Sequence, residues 1–227
     1  MENLLLLHGA IGSEEQFAEL KKMLSTCFTV HTINFSGHGG NDMPEQFEIT
    51  SFAAETESYL ERNNLESVNI FGYSMGGYVA LYLALHYRKR ISSVFTFATK
   101  FTWSPEIAQK ETKMLNPDKI AEKLPAFAME LEKRHLPNDW RSVLNKTAQM
   151  MQNLGEQNLL SHDDISRISI RVRIGIGDRD SMVTLEETVA AYKSLPNGSL
   201  LVLPQTPHPL EQIDKQRLAH EIKNFFL

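Results

Sequence analysis

Cysteine is almost missing from this chain: Cys27 is the single example in 227 residues. One thiol excludes an internal disulfide and fits a reducing compartment. Without a thiolate-stabilising context, Cys27 reads as a small buried apolar side chain. Long hydrophobic runs are missing too. No segment approaches the roughly 20 apolar residues of a membrane span, and the opening MENLLLLHGAIG lacks the basic region and apolar stretch of a signal peptide. A soluble, cytoplasmic protein is expected. Basic clusters are scarce: 23 Lys and Arg stand against 28 Asp and Glu, a net charge of −5. No predicted face collects a basic run, so nucleic acid is not an expected partner. Metal-ligand clusters and dinucleotide fingerprints are absent, and HGAIGS lacks the lysine of a phosphate-binding loop. No metal or cofactor is expected, and no repeat or low-complexity tract is visible.

What is present is 42% hydrophobic content, enough for one well-filled core and a modest insertion. Short apolar runs rich in branched residues recur at 4–7, 30–35, 68–71, 94–98, 172–176 and 200–203. They read as strands buried mostly on both faces. Helical spacing lies between them. Ser13 with Gln16 and Thr184 with Glu187 form capping boxes, Phe52, Tyr59 and Leu60 mark one helix face, and Leu218, Ile222, Phe225 and Phe226 mark the last. Alternating strand and helix predicts a parallel sheet covered on both sides.

One region breaks the alternation. From about Lys100 to Asp164 there are helix-like stretches but no convincing strand, punctuated by Pro105, Pro117, Pro125 and Pro137. The expectation is a core of residues 1–99 and 165–227 with a helical cap of residues 100–164. Both tryptophans, Trp103 and Trp140, fall in this insertion with Met114, Met129, Met150 and Met151. They fill the cap's own small core or wall an apolar pocket.

Residues 72–77, GYSMGG, lie where the third strand ends and a helix begins. A residue at such a corner is forced into a strained conformation, and side chains two positions away on either side would collide with it. Gly72 and Gly76 remove the collision around Ser74, leaving its hydroxyl clear of the backbone. The same turn places the amide of Met75 at a helix N-terminus, aimed at charge developing beside the serine.

Here the chain resembles the α/β-hydrolase superfamily. Besides GYSMGG, the similarity rests on HGAIG (8–12), FSGHGG (35–40), GDRDSMV (177–183) and TPHPLE (206–211), five motifs in family order. The chain begins at what would be the family's third strand, so about six strands, mostly parallel, are expected. Asn34 replaces an aspartate often found before the GHG turn.

A serine hydroxyl needs a base, and the base needs an acid that fixes its tautomer. Of eight histidines, His208 stands out, in a loop after the last strand between Pro207 and Pro209, at the carboxyl edge where ligands of such sheets bind. His8 is expected to brace its loop and His38 its glycine turn. His31, His86, His135, His162 and His220 have surface or core roles by default. Asp178 and Asp180 both follow the fifth strand. The family spacing favours Asp180, with Asp178 as a turn or capping residue. The order Ser74, Asp180, His208 is the one the resemblance implies. The amides of Ala10 and Met75 are the expected oxyanion donors, with Ile11 an alternative to Ala10. Ile11, Tyr73, Trp103 and Met182 are expected to contact substrate.

The resemblance implies acyl transfer on a small-molecule carboxylic ester or thioester. A carbon-carbon hydrolase or lyase of the same fold is the alternative. The menaquinone-pathway enzyme that eliminates pyruvate is similar in size and in GYS-x-GG, but normally carries arginine where this chain has Tyr78. A non-catalytic binding protein is a third reading, disfavoured by the intact serine, aspartate and histidine.

Overall fold

A computed structural model describes residues 1–227. Six strands form one sheet: β1 (Glu2–Leu7), β2 (Phe28–Ile33), β3 (Val68–Tyr73), β4 (Ile91–Phe97), β5 (Arg171–Gly177) and β6 (Gly198–Leu203). Their order is β2-β1-β3-β4-β5-β6. Every pairing is parallel. The predicted α/β-hydrolase fold with about six strands is what the chain adopts, without an antiparallel member.

Side-chain alternation divides the interior. Leu5, Leu7, Ile70, Val94 and Ile174 point to one face, where α2 (Ile49–Arg62), α3 (Met75–His86) and α9 (Leu185–Ser194) cover them. Leu4, Leu6, Phe71, Phe95 and Phe97 point to the other, beneath α1 (Ala18–Leu24) and α10 (Lys215–Phe226). Burying each such side chain stabilises the fold by about 1.5–3 kcal/mol. The central strand β3 is buried at every position. The outer strands β2 and β6 are half-exposed, because each lies at an edge of the sheet. The expectation of strands buried on both faces therefore fails at the two edges. Cys27, just before β2, is likewise half-buried rather than buried.

Between β4 and β5 run α4 (Pro105–Thr112), α5 (Pro117–Lys123), α6 (Pro125–His135), α7 (Trp140–Glu156) and α8 (His162–Ser166). Three of the predicted breakers start helices: Pro105, Pro117 and Pro125 occupy first-turn positions, where a missing N–H costs nothing. Ile120, Leu131, Trp140 and Leu144 make a small separate cluster there. The expected cap boundary at residue 164 falls inside α8, whose Ile165 belongs to the main core beside α3 and α9. Met114 and Met129 are exposed and wall nothing. No helix is long and apolar enough to cross a membrane.

Candidate active site

The loops at the carboxyl ends of the strands gather along one edge of the sheet. Strain gathers with them. Of five non-glycine residues with positive φ, four lie in these loops: Ile11 (53°), Ser74 (52°), Ala98 (56°) and Gln205 (55°). Each such conformation costs on the order of 1–3 kcal/mol and persists only where its surroundings over-determine it.

At Ser74 those surroundings are visible. Its amide donates to the Phe97 carbonyl at 2.8 Å, and its carbonyl accepts from the Gly77 amide at 3.0 Å and the Thr99 hydroxyl at 3.1 Å. A Cβ on Gly72 would overlap the Gly76 carbonyl, and one on Gly76 would overlap the Leu7 carbonyl. The second glycine is thus required by the neighbouring strand β1 as well as by the turn.

The imidazole of His208 lies beside this corner. Its Nε2 is 3.5 Å from Ser74 Oγ, at the outer limit of a hydrogen bond. Its Nδ1 meets Asp180 Oδ2 at 2.7 Å. A carboxylate there fixes the proton on Nδ1 and leaves Nε2 free to accept from the serine. The Asp180 side chain is fully buried, and its Oδ1 accepts from the amides of Met182 at 2.9 Å and Val183 at 2.8 Å. Asp178 accepts from the Thr206 amide at 3.2 Å, which fits its alternative reading as a turn residue. The amides of Ala10 and Met75 donate to no protein group, leaving both free to meet an oxyanion.

A cavity of about 50 Å³ opens on Ser74 and His208. Its wall is mainly apolar, with Ile49, Tyr78, Trp103, Met150, Met151 and Leu154. Met182 also lines it, but Ile11 and Tyr73 do not. The Tyr73 side chain turns the other way, and its hydroxyl donates to the His208 carbonyl at 2.7 Å. It braces the histidine loop from beneath. Tyr78 is tied down as well, donating to Asn158 Oδ1 at 2.6 Å and accepting from the Leu159 amide at 3.1 Å. Burial raises its phenol above the usual range.

Ile11 serves the site through its backbone. Its carbonyl accepts from Arg134 Nη1 at 3.1 Å and His135 Nε2 at 3.0 Å, both from α6. His8, His38 and His135 form a buried column, with neighbouring ring centroids 5.1 and 5.7 Å apart. Burial is the main cause that lowers His8 and His135 from 6.5 to about 4 and His38 well below its ordinary value. The expected bracing by His8 has a clear form: the Phe35 amide donates to its Nε2 at 3.2 Å. No group of three or more His, Cys, Asp or Glu converges to hold a metal ion.

Sequence reasoning missed a charged pair in the cavity wall. Lys100 and Glu111 line it, and Lys100 Nζ lies 3.2 Å from Glu187 and 3.8 Å from Glu111. The same ammonium donates to the Met182 carbonyl at 2.9 Å. That carbonyl belongs to the Met182–Val183 peptide, whose N–H donates to Asp180. The available signal was a lysine directly after the β4 loop and a carboxylate, Glu187, already singled out as a helix cap.

A model described as alpha/beta hydrolase fold matches residues 2–129, more than half of the chain. The chain belongs to this family. Among curated relatives, a Bacillus subtilis protein named "Putative 2-succinyl-6-hydroxy-2,4-cyclohexadiene-1-carboxylate synthase" is 22% identical over 255 residues, covering 100% of this chain and 90% of that one. A "Probable alcohol acetyltransferase" of Wickerhamomyces anomalus is 26% identical over 152 residues, covering 60% of this chain, which spans only 44% of that longer protein. Among solved structures, a thermophilic esterase from Thermogutta terrifontis aligns with a TM-score of 0.79 at 21% identity, covering 99% of this chain and 89% of that one. This family member is thus similar to proteins whose names include a synthase, an acetyltransferase and an esterase.

Proposed function

We propose that this α/β-hydrolase fold protein is a serine hydrolase that cleaves a small carboxylic ester or thioester through an acyl-enzyme. The observation that carries the reading is the alignment of Asp180, His208 and Ser74 at the mouth of an apolar cavity. Ser74 Oγ attacks the carbonyl carbon while His208 Nε2 takes its proton, and the amides of Ala10 and Met75 hold the tetrahedral oxyanion. Collapse expels the alcohol or thiol, which receives the proton from His208. Water, deprotonated by the same imidazole, then releases the acid and restores the serine. The 3.5 Å contact between serine and histidine is a resting distance that tightens when substrate fills the corner.

The cavity volume favours a short acyl group, since about 50 Å³ is the room of a few waters. Residues 100–164 act as its cap, supplying Met150, Met151 and Leu154 from α7 and Trp103 from the segment before α4 to the wall. The acetyltransferase relative suits the same chemistry, with an alcohol in place of water as acceptor.

The second reading is a carbon-carbon hydrolase or lyase, favoured by the synthase relative that covers the whole chain. Tyr78 weighs against it, because its hydroxyl is already engaged by Asn158 and Leu159 and supplies no positive charge for a carboxylate. Turnover of p-nitrophenyl butyrate tests the choice. Ester hydrolysis should fall by on the order of 10⁴-fold or more in Ser74→Ala, and a fluorophosphonate should label the wild-type serine alone. Pyruvate release from the synthase's substrate with negligible ester turnover would reverse the ranking.

A further inference from the structure

Glu111 is 6% exposed, lines the cavity that Ser74 opens into, and accepts no hydrogen bond from the protein. Its nearest cation, Lys100 Nζ, stands 3.8 Å away, beyond hydrogen-bond range. Glu187 beside it is in the opposite condition. It takes the amides of Phe101 at 3.0 Å and Thr184 at 3.3 Å and the Lys100 ammonium at 3.2 Å. Lys100 in turn spends two of its three protons on Glu187 and the Met182 carbonyl. The cluster thus holds one positive and two negative charges, a net of −1. One of its carboxylates faces the empty space with its acceptor capacity unused. With no protein donor, that carboxylate takes its hydrogen bonds from water or from whatever occupies the cavity.

We propose that Glu111 is a specificity residue that accepts a hydrogen bond from a cationic amine carried by the substrate a few bonds from the scissile carbonyl. This rests on the serine hydrolase reading above and narrows its substrate class to short amine-bearing esters or thioesters. A carboxylate in the same place would bring the local charge to −2, with a single Lys100 proton left to meet it. A neutral alkyl end would displace water from Glu111 and give it no donor in return. An ammonium meets both requirements, since it supplies the missing donor and brings the cluster to neutrality.

Isosteric esters separate these cases. p-Nitrophenyl β-alaninate and p-nitrophenyl butyrate differ by an ammonium in place of a methyl, and p-nitrophenyl hemisuccinate carries a carboxylate. The wild type should prefer β-alaninate over butyrate by about tenfold in kcat/KM and should disfavour hemisuccinate. In Glu111→Gln the ratio of β-alaninate to butyrate should drop by roughly tenfold or more, and Glu111→Asp should restore part of it. A wild-type preference for butyrate or hemisuccinate overturns the proposal, as does a ratio that Glu111→Gln leaves unmoved. Binding to Ser74→Ala, read by calorimetry, keeps the two readings apart. β-Alaninamide should bind at least tenfold tighter than butyramide even if no ester is hydrolysed, a result that would leave Glu111 in its role while removing the ester chemistry. Equal affinity for the two amides overturns the assignment of Glu111 whatever the esterase result.

Discussion

The serine corner and the charged cluster beside the cavity are built from different materials. At the serine corner, backbone groups hold everything in place: Ser74 is pinned through its own amide and carbonyl to Phe97, Gly77 and Thr99, and the amides at Ala10 and Met75 have no protein acceptor. At the charged cluster, long side chains do the holding, with Lys100, Glu111 and Glu187 arriving from a loop, α4 and α9. A backbone corner tolerates no change in its glycines but says nothing about which substrate is chosen. A cluster of charged side chains can be rewritten one residue at a time, and it is where choice of substrate can reside.

The sharpest way to break the contrast is Gly76→Ala. Its Cβ would overlap the Leu7 carbonyl of β1, so we expect roughly 3 kcal/mol or more of lost stability and an elbow displaced enough to abolish labelling by fluorophosphonate. Thermal melting should show a drop of about 6 °C or more for a chain of this size. A variant that melts like wild type would show that the corner is looser than its geometry implies.

Acidification probes the histidine bracket behind the loop of residues 8–12. His8 and His135 have folded values near 4 against 6.5 when unfolded. Below pH 6.5 the unfolded chain therefore binds protons that the folded chain refuses. Stability should be complete above that point, decline as pH falls toward 4, and level off below it. At pH 5 a group displaced this far costs about 2 kcal/mol. Urea titrations at pH 7.5 and 5 should register the loss, and His135→Gln should flatten the slope.

The smallest effect should come from Tyr78→Phe, which leaves Asn158 and Leu159 without their shared partner. We expect about 1–2 kcal/mol of destabilisation with ester turnover changed only a few-fold. If this variant gained pyruvate-releasing activity, the weight placed on Tyr78 against the lyase reading would be removed.

The same division governs what the sequence made legible. The strands and the elbow are local patterns, each set by a few adjacent residues and the turn chemistry they require. The order of Ser74, Asp180 and His208 and the preference for Asp180 came from the family resemblance, and the Asp178 alternative remained because only the fold shows which carboxylate meets an imidazole. Tyr73 looked like a substrate contact from its position beside the serine, but strand alternation turns it to the opposite face. Ile11 similarly contributes a carbonyl rather than a side chain, which no pattern of residue types encodes. The charged cluster was invisible for a different reason: Lys100, Glu111 and Glu187 are 87 residues apart at the extremes, and only the packing of α4 and α9 around the β4 loop unites them.

The peptide between Met182 and Val183 ties the charged cluster to the serine corner, with its oxygen on the Lys100 ammonium and its N–H on the Asp180 carboxylate. An amide polarised from one side becomes a stronger donor on the other. Whatever alters the grip of Lys100, whether an engineered replacement or the arrival of a charged guest, will therefore be felt as a change in how firmly the imidazole is steered. Retargeting this protein to new molecules and tuning its turnover would then be one operation rather than two.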